Sequence, residues 1–467
     1  MASNRQLHIA FFPWLAFGHL IPNLELAKLI AQKGHKISFI SSPRNIDRLP
    51  KLPQSLADSI SFVKLKLPYV DNLPENAEAT ADIPFEKVQY LKQAFDGLQQ
   101  PLARFLQASS PDWIIYDFAP HWLPPLAAEL GIFRVFFIIF NSWTICFLGP
   151  SSLAMINGDD PRNKPEHFTV PPEWFPFPSN LAYRLHEAKM FLKVMEVNAS
   201  GLTDLCRFGW AMSGCDLFVP RSCYELESDW IKLLGEIHSK PVIPIGLLPP
   251  CLQVSQSEDS SSSSIWQSIN DWFGKQEKGS VVYVALGSEV TLSKEEITEL
   301  ALGLELSGLP FFWVLRKVHE SSSYHDELPE GFEERIKGRG MVWMSWAPQL
   351  RILAHESVGG FLTHCGWSSI IEGLHFGRAL VMLPFQADQG LNARFFEEKK
   401  VGKEIPRDDQ NGSFTRNMVA NTLRLVVLEE EGRICRDKAK EIGNMFADED
   451  LHHRYVDTFI AKLQQFF

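Results

Sequence analysis

Residues 346–389 read WAPQLRILAHESVGGFLTHCGWSSIIEGLHFGRALVMLPFQADQ, and this stretch decides the fold class. The apolar run 358–362 reads as a strand buried on both faces. It runs into Thr363-His364-Cys365-Gly366, after which Trp367-Ser368-Ser369 opens a helix. Residues 380–383 make the next strand, and a further helix starts near Asn392. Strand, small-residue turn, helix and strand form a βαβ unit, which calls for a parallel sheet with helices on its faces. A helix that starts directly after a strand also offers an anion site. Its first N–H groups lack intrahelical partners and lie at the positive end of the helix dipole.

The same alternation extends outward. Strands are predicted at 281–286, 311–315 and 341–344, with a helix at 294–307, and helices at 416–428 and 433–446 follow the quoted stretch. The first part of the chain repeats the scheme, with strands at 7–12, 36–41, 61–67, 113–116 and 135–140 and helices at 19–34, 86–106 and 120–130. Residues 150–200, including PPEWFPFP at 171–178, break the alternation and look like an insertion around a site. Between the halves, PIGLLPP leads into Ser257-Glu258-Asp259 and then five serines, a composition that reads as a linker over 246–265. The expected architecture is therefore α/β: two doubly wound, Rossmann-like domains, 1–245 and 266–447, facing a cleft. A helix at 448–467 is expected to pack back on the first domain. In such sheets ligands bind outside the carboxyl ends of the strands.

Composition narrows the function. The 467 residues carry 45 Lys plus Arg against 56 Asp plus Glu, a net charge of −11, which argues against a nucleic-acid binder. The 7 cysteines are odd in number and include no CxxC pair, so neither a disulfide framework nor a zinc site is expected. His364-Cys365 has no second Cys/His pair at ligand spacing, so no metal is expected. No window offers the roughly 20 apolar residues of a membrane span. With no signal-peptide pattern at the start, a reducing cytoplasm is the expected compartment. Asn198-Ala199-Ser200 matches a glycosylation sequon and is read as a chance match.

Several side chains around the turn suit a nucleotide sugar. His364 at the turn and the hydroxyls of Ser368 and Ser369 can donate to a diphosphate. Glu372 shares their helix face one turn deeper and can accept both hydroxyls of a ribose. Trp346 offers a flat face for a base, and Asp388 and Gln389 close the next strand where sugar hydroxyls could be met. In the first half, His19 follows Gly18 at a strand-to-helix turn, where an imidazole suits a general base near neutral pH. Asp117 follows strand 113–116 at the same end of the sheet and could orient that ring, as in triad logic. Simpler roles exist beside these: Trp346 and Trp367 as core, Ser369 as a helix cap, Asp117 as an N-cap before Pro120. Two other function classes fit the fold. A dinucleotide-dependent oxidoreductase would need a G-x-G-x-x-G after a strand, which the chain lacks. A non-enzymatic sugar-nucleotide sensor would have no use for the His19 and Asp117 pair.

The quoted stretch resembles the plant secondary product glycosyltransferase box of UDP-dependent family 1 glycosyltransferases. The resemblance rests on 44 residues, with W-A-P-Q at 346–349, His355, G-G-F at 359–361, H-C-G-W at 364–367, Ser369, Glu372-Gly373, Pro384 and Asp388-Gln389. It extends to FPWLAFGH at 12–19 and VYVALGS at 282–288. It implies a GT-B fold and inverting transfer from a UDP-sugar co-substrate, without metal or cofactor. By matching position, Trp346 would stack on uracil and the Ala347 backbone would bind its edge. Gln349 and Glu372 would hold the ribose, and His364, Ser369 and Ser288 the diphosphate. Trp367, Asp388 and Gln389 would hold the donor sugar, while His19 and Asp117 would be catalytic. Ser368 stands where the family commonly has Asn, with one donor in place of two. The stretches 12–19 and 110–132 resemble a subgroup that extends a sugar already present on a terpenoid or flavonoid glycoside. The partners so implied are UDP-glucose or UDP-rhamnose and a small lipophilic glycoside. The protein is expected to act as a monomer, with no nucleic-acid partner and no membrane span.

Overall fold

The computed structural model describes residues 5–150, 156, 160–249, 260–287, 289–315 and 328–467. Two compact units emerge: Met1–Ser179 with Met190–Leu248 and Asp450–Phe467, and Asn180–Lys189 with Pro249–Glu449.

The first unit holds β1 (His8–Phe12), β2 (Lys36–Ser41), β3 (Ile60–Lys64), β4 (Trp113–Tyr116), β5 (Phe133–Ile138) and β6 (Leu217–Pro220). Their spatial order is β3-β2-β1-β4-β5-β6 and every pairing is parallel. Apolar residues on both faces of β1 and β4 explain this, since a central parallel strand is covered by helices on each side. Ile9, Phe11, Trp113 and Ile115 join Leu20, Leu24, Ala27 and Ile30 of the helix Phe17–Gln32 in one core. The final helix, Glu449–Gln464, adds Val456, Phe459, Ile460 and Leu463 to the same core.

The second unit holds β7 (Val281–Ala285), β8 (Phe311–Val314), β9 (Gly340–Trp343), β10 (Val358–Thr363), β11 (Ala379–Met382) and β12 (Gly402–Glu404). Their order, β12-β11-β10-β7-β8-β9, is the same topology with β7 in the place of β1. In each unit the chain order reverses at one junction, between β1 and β4 or between β7 and β10. Such a junction is where an open α/β sheet binds its ligand.

Three expectations need correction. The serine run is not all linker: residues 250–259 lie outside the described residues, but Ser260 begins the helix Ser260–Phe273. Serine is only mildly unfavourable in a helix, and burial of Ile269, Trp272 and Phe273 carries the segment. The single helix expected at 86–106 is two, Val88–Asp96 and Gln99–Ser109. A Cβ at Gly97 would lie 2.5 Å from Pro68, and Pro101 has no N–H to continue the ladder across the break. Finally, Asn180–Lys189, expected within the first domain, belongs to the second unit. Its polar side chains find their partners there, as described below.

Candidate active site

In the first unit, β1 and β4 run in register, with Phe12 opposite Tyr116, so the residues that follow them emerge at one level. His19 lies in the first turn of the helix after β1, and Asp117 follows β4 directly. The His19 ring Nδ1 lies 2.7 Å from Asp117 Oδ2. The carboxylate is 2 % exposed. It also accepts from the Trp14 N–H at 2.7 Å and the Ala119 N–H at 3.2 Å. A carboxylate occupied by donors acts as acceptor toward the ring, so Nδ1 carries the hydrogen and Nε2 is left with its lone pair. His19 is braced in turn by the Phe118 ring, 5.6 Å away, and by Asn23 Nδ2, which donates to its carbonyl at 2.9 Å.

The loop bearing Asp117 has its own support. Arg207, fully buried, donates to the Ala119 carbonyl at 2.7 Å and to both oxygens of Asp96 at 2.7 Å. Asp96 also accepts from Trp122 Nε1 at 3.1 Å. Sequence reading missed this brace, because residues more than 80 apart in the chain carry no local signal of pairing.

In the second unit, Thr363 ends β10 opposite Ala285 of β7, and His364 follows. The helix Trp367–His375 begins three residues on, with Gly366 as an N-cap that provides no side-chain cap. Its first backbone bond runs from Ile370 to the Gly366 carbonyl at 3.0 Å, so the preceding N–H groups lie ahead of the helical ladder. The His364 ring sits between two glycines. A Cβ on Gly287 would lie 2.7 Å from the ring and one on Gly366 2.5 Å from it. Its Nδ1 is enclosed and has no hydrogen-bond partner among the described residues. Burial pushes the ring down to about 4, so it is neutral at pH 7 and offers a single N–H. Cys365 takes a left-handed φ of 69°, rare for a residue with a side chain, and this turns the chain sharply from strand to helix.

Gln349 and Glu372 come together: Gln349 Nε2 donates to Glu372 Oε2 at 2.5 Å, and the buried Tyr283 hydroxyl donates to Gln349 Oε1 at 3.2 Å. Asp388 accepts from Asn392 Nδ2 at 2.8 Å, and the same amide donates to the Cys365 carbonyl at 3.0 Å. Asn392 thus ties the Asp388 carboxylate to the turn that follows β10. Its spacing of four from Asp388 was the available signal. Gln389 Oε1 accepts from the Phe385 and Gln386 N–H groups at 2.9 and 3.0 Å, which leaves its NH₂ as the group for a ligand.

The two tryptophans diverge. Trp346 is 67 % exposed, while Trp367 is 4 % exposed and stacks on Phe396 at 6.0 Å. Trp367 therefore packs into the core beside Phe396. Ala347, Ser368 and Ser369 are partly exposed at the same strand ends. Ser288 lies outside the described residues. Among the described residues no group of three or more His, Cys, Asp or Glu side chains could hold a metal ion, and no helix is long and apolar enough to cross a membrane.

Comparison with known proteins gives the family. Residues 252–433 match the family model described as UDP-glucoronosyl and UDP-glucosyl transferase. The chain is 50% identical over 454 residues to UDP-glycosyltransferase 91C1 of Arabidopsis thaliana, covering 97% of this chain and 96% of that protein. It is 44% identical over 470 residues to the soyasaponin III rhamnosyltransferase of Glycine max, covering 100% and 97%. Among solved structures, Phytolacca americana UGT2 complexed with UDP-2fluoro-glucose and pterostilbene superposes with a TM-score of 0.75 at 25% identity, covering 98% of this chain and 99% of that one. The chain belongs to the plant family 1 UDP-glycosyltransferases, enzymes built on the two Rossmann-like units of the GT-B fold.

Proposed function

We propose that the enzyme transfers glucose or rhamnose from its UDP-sugar, with inversion, to a hydroxyl of a sugar already carried by a small terpenoid or flavonoid glycoside. The observation that carries the mechanism is the 2.7 Å pairing of His19 Nδ1 with the buried Asp117 carboxylate. His19 Nε2 takes the proton of the acceptor hydroxyl as that oxygen bonds to the anomeric carbon. The bond from that carbon to the phosphate oxygen breaks with its electron pair, and UDP leaves. Asp117 stabilises the imidazolium that forms. Attack opposite the leaving group in one displacement inverts the configuration.

The second unit holds the donor. Trp346 and Ala347 take the uracil, the Gln349–Glu372 pair the ribose, and His364 with Ser288, Ser368, Ser369 and the helix N-terminus the diphosphate. Asp388, Gln389 and the Trp367 backbone take the sugar. Charge on the departing diphosphate is met by N–H groups already in place, so the reaction needs neither metal nor cofactor. We place the enzyme in the cytoplasm as a monomer; the described cysteines are all free thiols, which suits a reducing compartment. The glycoside acceptor rests on the stretches 12–19 and 110–132, and the soyasaponin III rhamnosyltransferase of Glycine max supports rhamnosyl transfer as one option.

The test is a donor and acceptor panel. UDP-glucose, UDP-rhamnose, UDP-galactose and UDP-xylose are offered with flavonoid and terpenoid aglycones and with their monoglycosides, and products are read by mass. Gain of one sugar on glycosides alone supports the reading and names the donor. Transfer to aglycones would replace it with an aglycone O-glucosyltransferase.

A further inference from the structure

The segment Asn180–Lys189 leaves the aromatic-rich insertion of the first half and folds with the second unit. Charge pairs anchor it. Arg184 donates through Nε and Nη2 to the two oxygens of Glu404 on β12, each at 3.0 Å. The Glu187 carboxylate accepts from Arg394 at 3.1 and 2.5 Å. Gly390 makes room for it, since a Cβ there would lie 2.5 Å from Glu187 Oε1. This puts a negative charge against the first turn of the helix Gln389–Glu398, at the favourable end of its dipole. The His186 N–H donates to the Asp409 carbonyl at 3.0 Å, and Lys189 to the Gln410 carbonyl at 3.0 Å. These contacts make the segment a strap across the start of the helix that Gln389 opens.

Tyr183 stands at the head of the strap and is 4% exposed. Its hydroxyl donates to the Ala387 carbonyl at 3.0 Å. Ala387 directly precedes Asp388 and Gln389 and has a left-handed φ of 53°. A residue with a Cβ keeps that conformation only where its surroundings hold it. The preceding loop is held separately: Arg407 donates to the Pro384 carbonyl and lies 5.0 Å over the Phe385 ring, while Gln389 takes the Phe385 and Gln386 N–H groups. The Ala387 peptide is thus fixed from the strap, by a hydroxyl outside the glycosyltransferase box.

We infer that Tyr183 is a positioning residue for donor-sugar selection, which holds the Ala387 peptide so that Asp388 and Gln389 meet the sugar hydroxyls at fixed angles. This rests on the proposed reading of those two residues as the donor-sugar pair. Loss of the hydroxyl leaves the UDP contacts of 346–372 untouched but lets the sugar pair shift.

The experiment compares wild type, Tyr183→Phe and Asp388→Asn in the full chain. It reads kcat/KM for the best and second-best UDP-sugars, the Kd of UDP alone by calorimetry, and Tm. In Tyr183→Phe the ratio between the two donors should fall about fivefold, the value of one ordinary hydrogen bond, with UDP affinity as in wild type and Tm lowered by no more than about 2–4 °C. An unchanged ratio overturns the inference when Asp388→Asn does shift it. So does a fall in Tm and in UDP affinity that lowers both donors equally, which is the mark of a purely structural role. If Asp388→Asn also leaves the ratio intact, the donor-sugar reading fails and the role of Tyr183 fails with it.

Discussion

The two sheets have one topology, yet their reversal points are equipped in opposite ways. Between β1 and β4 the equipment is a side-chain pair, His19 and Asp117, with the carboxylate buried under three donors. Between β7 and β10 it is backbone and space: an uncapped helix start, a left-handed Cys365, and two glycines against one imidazole. The two histidines differ accordingly. His19 has a carboxylate to support a positive charge. His364 has none among the described residues, and burial holds it neutral. A proton-transfer site needs a partner for the charge it acquires, whereas a diphosphate site needs donors already in place and no competing anion. One scaffold is therefore equipped in two ways through the residues set at its reversal point.

The largest expected effect breaks the first site. His19→Ala should lower kcat by about 10²–10⁴-fold, the usual range for a general base, with UDP affinity by calorimetry near wild type. Retained turnover would end the base assignment. Next, Gly366→Ala challenges the second site through space alone, because the position has an ordinary φ of −62°. A methyl 2.5 Å from the His364 ring must displace it, and a shift of about 1 Å in a positioned group costs about 10²-fold in kcat/KM. Unaltered donor kinetics would show that the ring position is immaterial. Glu372→Ala should raise the donor KM about tenfold by removing a charged acceptor and stranding Gln349, and an unchanged KM counts against the ribose role.

The smallest effect sharpens the contrast by pH. His364 titrates near 4 in the fold against 6.5 in an open chain, so between these values the unfolded chain binds the proton and the fold does not. Its share of stability is therefore complete above 6.5 and is lost as pH falls toward 4. A bound diphosphate favours the charged ring and raises its pKa. UDP binding near pH 5 should then take up a fraction of a proton, seen as a buffer-dependent binding enthalpy. His364→Asn should abolish that dependence; if the uptake persists, another group carries it.

Much of the fold was legible in residue pattern. The predicted limits for 36–41, 113–116, 294–307 and 433–446 coincide with Lys36–Ser41, Trp113–Tyr116, Lys294–Ser307 and Arg433–Phe446. Each is a run whose period and end signals agree. β6 and β12 escaped because strands of four and three residues at sheet edges carry little pattern of their own. The serine run misled because composition is local, while the helix there is held by the burial of Ile269 and by Trp272 and Phe273, which pack on Phe312 of β8.

At the site, sequence alone named the candidate residues: the His19 and Asp117 pair and the spacing of Gln349, His364, Glu372, Asp388 and Gln389. Motifs carry that information because a strand, a turn and a helix start fix side chains locally. Only the tertiary structure decided what those residues touch. It turned Trp367 into the core and left Trp346 in the open. It closed two glycines on His364, placed Arg207 and Asp96 behind the Asp117 loop, and brought Tyr183 to Ala387 across 204 positions of chain. Contacts of that separation depend on how whole elements pack, which no local run of residues encodes.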